Sequence, residues 1–199
     1  KSLETAHWST EMKIYAVKPD SSFRLMFPED SVYDSDDWEF KCESLAGKLP
    51  LHFDAYFSDS NDKPIPDIAW IGMNTFAFRD DVAAELLDIL EEAGELLPFK
   101  IGGQQWYCLN VLNKSDDVID YEKSKYEIED GEVRFGLKTP AFKLDRLPQS
   151  PLFKIKDDNY TTIYCADKRE TEEDVMNNFF CAIAGHEYTG IKFEEVFEG

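Results

Sequence analysis

Histidine is scarce in this chain. His7, His52 and His186 are the three present among 199 residues, and no two stand at H-x-x-x-H or H-E-x-x-H spacing. A helix-borne histidine zinc site therefore has no support. Glycine is sparse too, at 10 residues, and no G-x-G-x-x-G, P-loop or G-x-S-x-G motif occurs. Gly102-Gly103 precedes a β-prone run, whereas a phosphate-binding loop needs a helix after it. The four cysteines, Cys42, Cys108, Cys165 and Cys181, include no C-x-x-C pair, and three lie within apolar runs. That usage implies reduced, buried thiols in a cytoplasmic setting. No stretch approaches the ~18 continuous apolar residues of a membrane span. Positive charge is the largest deficit: 21 basic residues face 41 acidic ones, for a net charge of −20. A field of that sign repels phosphate, which disfavours bulk nucleic acid and anionic membrane surfaces as partners. It favours a basic protein partner, although solubility alone accounts for the same excess.

What is present suits a folded core. Hydrophobic residues make up 43% and aromatics 14%, enough for one substantial domain or two small ones. The stretch 1–11 is polar and carries no apolar signal-peptide core, so it reads as a leader or an upstream remnant. Lys13-Ile14-Tyr15-Ala16-Val17 then reads as a first strand stopped by Pro19-Asp20. Residues 20–37 are dominated by turn formers and read as mostly loop. Strand material follows at 49–57, 67–72 and 75–78.

Residues 79–93 give the clearest helix signal. Val82, Leu86 and Leu90 recur at four-residue spacing, Asp80 and Asp81 suit the positive end, and Gly94 is a natural stop. Residues 96–101 read as an edge strand, because Pro98 cannot donate to a ladder. Gly102-Gly103 turns the chain into Trp106–Leu112, which makes a hairpin. Short strands are expected at 131–135 and 161–165. Thr171 with Asp174 forms a capping box for a second helix over 171–184, with Val175, Phe179 and Ile183 on one face and Gly185 as its stop. His52 falls in the 49–57 strand and His186 just past the second helix. Strand 75–78, its helix and strand 96–101 parallel strand 161–165, its helix and strand 190–196. Each trio suggests a βαβ unit, and together they suggest either a weak internal repeat or chance recurrence of a common supersecondary unit.

Two acidic segments stand out, Asp34-Ser35-Asp36-Asp37 and Asp116-Asp117 with Asp120. The first invites a calcium loop. Counted from Asp34, however, positions 6 and 12 hold Glu39 and Leu45, where such a loop needs Gly and Glu. No metal or cofactor is therefore assigned. Paired carboxylates also serve glycoside hydrolysis as acid and base, but among 41 acidic residues some pairs fall close by chance. Trp38, Trp70, Trp106 and Tyr107 suit stacking on a sugar or partner, and at strand spacing suit the core better.

The run Trp106-Tyr107-Cys108-Leu109-Asn110-Val111-Leu112, followed by Asp117, Asp120 and Tyr121-Glu122-Lys123-Ser124, resembles the MXAN-type immunity domain found beside bacterial polymorphic toxins. The similarity extends to strand 13–17, to Phe76-Ala77-Phe78 and the helix after it, to Ser150-Pro151-Leu152-Phe153-Lys154-Ile155, and to Thr189–Val196. It covers most of 12–196, and none of its motifs is catalytic. The resemblance implies an immunity protein that binds a cognate toxin and occludes its active face, in the cytoplasm and without enzymatic activity. The expected fold is α+β, with mixed, mostly antiparallel sheets and two main amphipathic helices in one domain over 12–199. A divide into two lobes would fall near 130–150, and a homodimer is compatible with this reading. Interface residues expected on charge are Asp34, Asp36, Asp37, Asp116, Asp117 and Asp120, facing a basic toxin surface. The competing reading is a small-ligand-binding or carbohydrate-active α+β enzyme with paired carboxylates.

Overall fold

The computed structural model describes residues 11–59, 62–129 and 131–199, so the expected leader lies, Glu11 apart, outside the described residues. In chain order the elements are β1 (Lys13–Pro19), β2 (Met26–Pro28), α1 (Asp30–Tyr33), β3 (Phe53–Phe57), β4 (Ile68–Ile71), β5 (Thr75–Arg79), α2 (Asp80–Glu85), α3 (Leu87–Ala93), β6 (Gly94–Ile101) and β7 (Gln104–Val111). There follow β8 (Lys125–Glu129), β9 (Glu132–Thr139), β10 (Tyr164–Asp167), α4 (Glu172–Met176), α5 (Phe179–His186) and β11 (Ile191–Glu198). The class is α+β, as expected, and most strand pairs are antiparallel.

Six strands close a barrel in the order β2-β3-β6-β7-β5-β4. Closure comes from a short parallel contact, Met26 beside Ile71. Met26, Ala69, Ile71, Ala77, Phe99, Trp106 and Cys108 pack in one core cluster, capped by Trp38, Phe40, Leu45 and Leu49 from the long β2–β3 connection. Phe76, Phe78, Leu109 and Val111 belong to a second core, with Val82, Leu86 and Leu90 from the α2–α3 region and Phe179 and Ile183 from α5. β5 and β7 are thus buried on both faces, which is why Phe76-Ala77-Phe78 is continuously apolar rather than alternating.

β1 is the middle strand of a separate sheet, β10-β1-β11. Val17 joins the second core, while Ile14 and Ala16 pack in a third with Val118, Ile119, Phe142, Phe153, Ile155 and Tyr164. β8 and β9 form a two-stranded hairpin of their own within the stretch leading to 130–150.

Several sequence expectations change. Residues 20–37 are mostly loop, as expected, and also hold β2 and α1. β2 escapes recognition because three residues show no periodicity, and only the barrel pairs them. The strand read at 49–57 starts at Phe53, because His52 sits at φ 57°, outside the strand region. β6 is no edge strand, since it lies between β3 and β7. Its proline is tolerated because β3 reaches β6 only at Phe99 and Lys100. A strand residue's N–H and C=O point to the same side. The Pro98 carbonyl accepts from the His52 N–H at 3.2 Å, so the missing donor also faces the β3 side, beyond the ladder.

Both helical regions lie where periodicity placed them, and each is in two pieces. The first has an irregular turn at Leu86 (φ −98°, ψ 10°) that the Leu86 and Leu90 N–H bonds still bridge. The second breaks at Asn177-Asn178. There the Asn178 side chain accepts from the Cys181 N–H at 2.9 Å and caps a new helix. The expected capping box is present, with Asp174 N–H donating to the Thr171 hydroxyl at 3.1 Å and Thr171 N–H donating to the Asp174 carboxylate at 2.9 Å. Gly185 does not end α5. Glu187, in the left-handed region at φ 55°, closes it, and His186 is its last residue.

The paired βαβ units are real at the level of topology. β5 and β6 both run antiparallel to the β7 between them. β10 and β11 likewise both run antiparallel to the β1 between them. Each unit is strand, two-piece helix, strand, with a third strand inserted. Gly94 and Gly190 stand at the two returns, and a Cβ there would meet the Asn110 carbonyl oxygen at 1.9 Å and the Ile68 carbonyl oxygen at 1.8 Å. The glycine equivalent to Gly94 is therefore Gly190, not Gly185.

Candidate docking surface

A cluster of partly exposed aromatic side chains sits on the outer face of β2 and β3. Met26 is wholly buried in the barrel, so Phe27 faces outward, opposite Tyr56 in the antiparallel register. On β3, Phe53 is buried while Asp54 and Tyr56 are exposed. α1 places Tyr33 alongside. Phe27 meets Tyr33 edge-on at 6.0 Å and stacks on Tyr56 at 6.1 Å. The tyrosines remain 40% and 50% exposed, unusual for aromatic rings already in contact.

Around this trio the charge is mostly negative. Leu25 to Phe40 contains six carboxylates, Glu29, Asp30, Asp34, Asp36, Asp37 and Glu39, and no lysine or arginine. Asp54 adds another, with Lys100 as its neighbour across the parallel bridge. Asp34, Asp36 and Asp37 are exposed. Their carboxylates make no hydrogen bond or ion pair among the described residues. The loop that carries them is nonetheless anchored. Trp38 packs edge-on against Phe40 at 4.8 Å and Phe53 at 5.9 Å, and its Nε1 donates to the Gly72 carbonyl at 3.4 Å. The Ser35 hydroxyl donates to the Val32 carbonyl at 2.7 Å.

The second acidic segment is built differently. Asp116 accepts from the Tyr160 hydroxyl at 2.9 Å. Asp117 pairs with Arg146 and, at 3.6 Å, with Lys143. Asp120 accepts from the backbone N–H groups of Glu122 at 3.1 Å and Lys123 at 3.3 Å, closing a turn. Neighbouring Tyr121 donates to Asp157 at 2.6 Å, and this bond, with burial, holds its phenol proton up to about 12. These carboxylates hold their own loop together, whereas those at 34–37 are unused. The segments are joined by the 159–160 turn, where the Asn159 carbonyl accepts from Lys41 at 2.8 Å and Tyr160 holds Asp116.

Phe27, Tyr33 and Tyr56 were not among the residues expected on charge. One signal for Tyr56 was readable, because in Phe53-Asp54-Ala55-Tyr56-Phe57 it shares parity with an aspartate. Tyr33 and Phe27 depend on α1 and on the β2–β3 pairing, which the sequence does not announce. Trp38 and Trp106 are core residues, while Trp70 and Tyr107 are half-buried at its edge.

Other chemistry is subdued. Burial pushes the Cys108 thiol far above its usual range and that of Cys165 up to about 12, so neither supplies a thiolate at neutral pH. A glycosidase-type acid needs a carboxyl held protonated. The carboxylates that are shifted all move the other way. Backbone bonding from Ser22 lowers Asp20, and Arg79 lowers Asp81. At Asp67, Glu95 and Asp174 burial pulls upward but donated hydrogen bonds outweigh it. Among the described residues no group of three or more His, Cys, Asp or Glu side chains is placed to hold a metal ion, and no helix is long and apolar enough to cross a membrane. No family model matches the chain, and no curated protein matches it either.

Proposed function

We propose that this chain is an immunity protein that binds a cognate bacterial toxin in the cytoplasm and neutralises it by covering its active face, without catalysis of its own. The observation that carries the reading is half-buried Phe27 with half-exposed Tyr33 and Tyr56, beside the exposed and unpaired carboxylates of Asp34, Asp36 and Asp37. Tyrosines in a partly apolar patch are the usual anchors of protein interfaces, and a rim of one charge sign steers an oppositely charged partner and sets register. The partner this surface fits is a protein with a lysine- and arginine-rich face. The motif resemblance at 106–124 and 189–196 supports the same assignment. The docking role falls to Asp34, Asp36 and Asp37, with the aromatic trio at the centre. Asp116, Asp117 and Asp120 serve as loop supports.

The reading expects a toxin gene adjoining this one, and the test is binding to the product of that neighbour. A complex should form at micromolar concentration or below, and co-expression should protect cells from that toxin and from few others. No association at micromolar concentration overturns the reading.

A further inference from the structure

Lys154 is the exception to nearly every charge rule in this molecule. It is only 1% exposed, between the buried Phe153 and Ile155. A buried ammonium is normally paired with a carboxylate, yet Lys154 forms no ion pair among the described residues. Among the described residues its ammonium donates one hydrogen bond, to the Phe40 carbonyl at 2.8 Å. An ammonium has three N–H bonds to donate, so two are unused by the protein. Burial lowers its pKa to about 8, with Cys42 and Asp158 pulling upward and Lys41 downward, so at neutral pH it is still mostly charged.

The chamber beside it has a volume of about 90 Å³ and is lined by Lys154, Phe40, Lys41, Trp70, Asn74 and Thr161, with exposed Met73 at the rim and Tyr160 completing the wall. That is room for an organic ion of about four to six heavy atoms. The surroundings are positive in a chain that is otherwise strongly negative. Lys114 lies beside Lys154 across a parallel bridge, with its ammonium 5.9 Å from the Tyr160 ring centroid, and Lys41 lines the chamber itself. The two nearby carboxylates are committed elsewhere: Asp116 to the Tyr160 hydroxyl, and Asp158 to the N–H groups of Thr161 and Thr162. Cys42 is held as a neutral thiol by burial and is no counter-ion.

We infer that this chamber binds a small monocarboxylate, whose oxygens accept the two unused N–H bonds of Lys154 while its short apolar tail lies against Phe40 and Trp70. The apolar faces of Phe40 and Trp70 favour a carboxylate with a short alkyl tail over sulfate or phosphate, which have no apolar part to place there. Asn74 and Thr161 supply further polar contacts at the rim. The site is independent of the docking surface and stands whether or not the toxin reading does.

Titration of the full chain, 13C-labelled at the lysine Cε positions, with acetate, propionate, hexanoate and phosphate tests this by NMR. Acetate and propionate should shift the Lys154 resonance saturably and raise its pKa by about one unit, since a bound anion stabilises the ammonium. Binding should weaken about tenfold per pH unit above the free pKa, and hexanoate and phosphate should not compete. Lys154→Met should abolish binding, and Thr161→Ala should weaken it several-fold with the lysine in place. If the Met variant does not fold, the wild-type titration and Thr161→Ala still decide. Acetate at tens of millimolar leaving the Lys154 signal and its titration unmoved overturns the site, as does equal binding by a folded Lys154→Met.

Discussion

On the proposed reading, single side chains separate docking from scaffolding. Tyr33 and Tyr56 are half-exposed, pack on Phe27 and make no side-chain hydrogen bond among the described residues, so Tyr33→Ala and Tyr56→Ala should each cost about 1 kcal/mol or less of stability. Each should weaken partner binding by about 2 kcal/mol, roughly thirtyfold in Kd, measurable by calorimetry. Asp117→Asn is the counter-case. It removes an exposed pair with Arg146 and Lys143, so it should cost about 1 kcal/mol or less of stability and leave affinity unchanged. Glu95 is a third kind of residue. It accepts from the Leu45 N–H at 2.6 Å, Asn110 at 2.8 Å and Ser44 at 2.9 Å, tying the capping loop to the barrel. Glu95→Ala should cost about 2–3 kcal/mol in denaturant unfolding. Its pKa is depressed in the folded state, so its contribution is complete above the unfolded value near 4.3 and fades as pH falls through the lower folded value. An acid titration of stability should show this limb in the wild type and lose it in Glu95→Ala. The charge of Asp34, Asp36 and Asp37 was legible in the sequence. That Asp116 and Asp117 are tied to Tyr160 and Arg146 was not, because partners 44 and 29 residues away leave no local trace. The burial of Lys154 was equally silent, since a lone lysine in Leu152–Ile155 reads as an outward position until both faces of that segment prove covered.

Elements were legible where they carried a period or a cap. The capping box at Thr171 and the 96–101/106–112 hairpin follow from local chemistry, and both are present. Where the chain departs from regularity, a tertiary contact decides. Asn178 ends α4 because its amide also reaches the Asp167 carboxylate at 2.6 Å and the Lys168 carbonyl at 3.2 Å, on the far side of the βαβ unit. Asn178→Ala loses a cap and orphans part of this buried network, so it should destabilise by about 2 kcal/mol or more. Gly190 is the stricter case. It sits at φ +103° against the Ile68 carbonyl, so Gly190→Ala should cost above about 3 kcal/mol or prevent folding. Circular dichroism melts of the two variants order these effects, and a Gly190→Ala protein as stable as wild type would count against the backbone contact.

At the scale of the whole molecule, the net charge of −20 acts through space rather than through contacts. Association with a basic partner should slow on the order of tenfold between low and high salt, while dissociation changes little. Stopped-flow mixing across an ionic-strength series measures both. Salt-independent association would remove the steering role and leave the aromatic anchors intact. The barrel itself was not legible, because closure rests on the three residues of β2 and a single parallel pairing to β4.

The position of β1 has a consequence for how the chain is made. The barrel strands all fall between residues 26 and 111, but β1 is held by β10 and β11, the first of which begins about 145 residues after β1 ends. At a synthesis rate of about 5–20 residues per second, β1 emerges from the ribosome roughly seven to thirty seconds before either partner exists. Through that interval Ile14, Ala16 and Val17 have no sheet to join, and both edges of the strand stand open. The nascent chain is thus vulnerable at β1, and a holdase that shields residues 13–19 until β10 emerges should raise the yield of native protein.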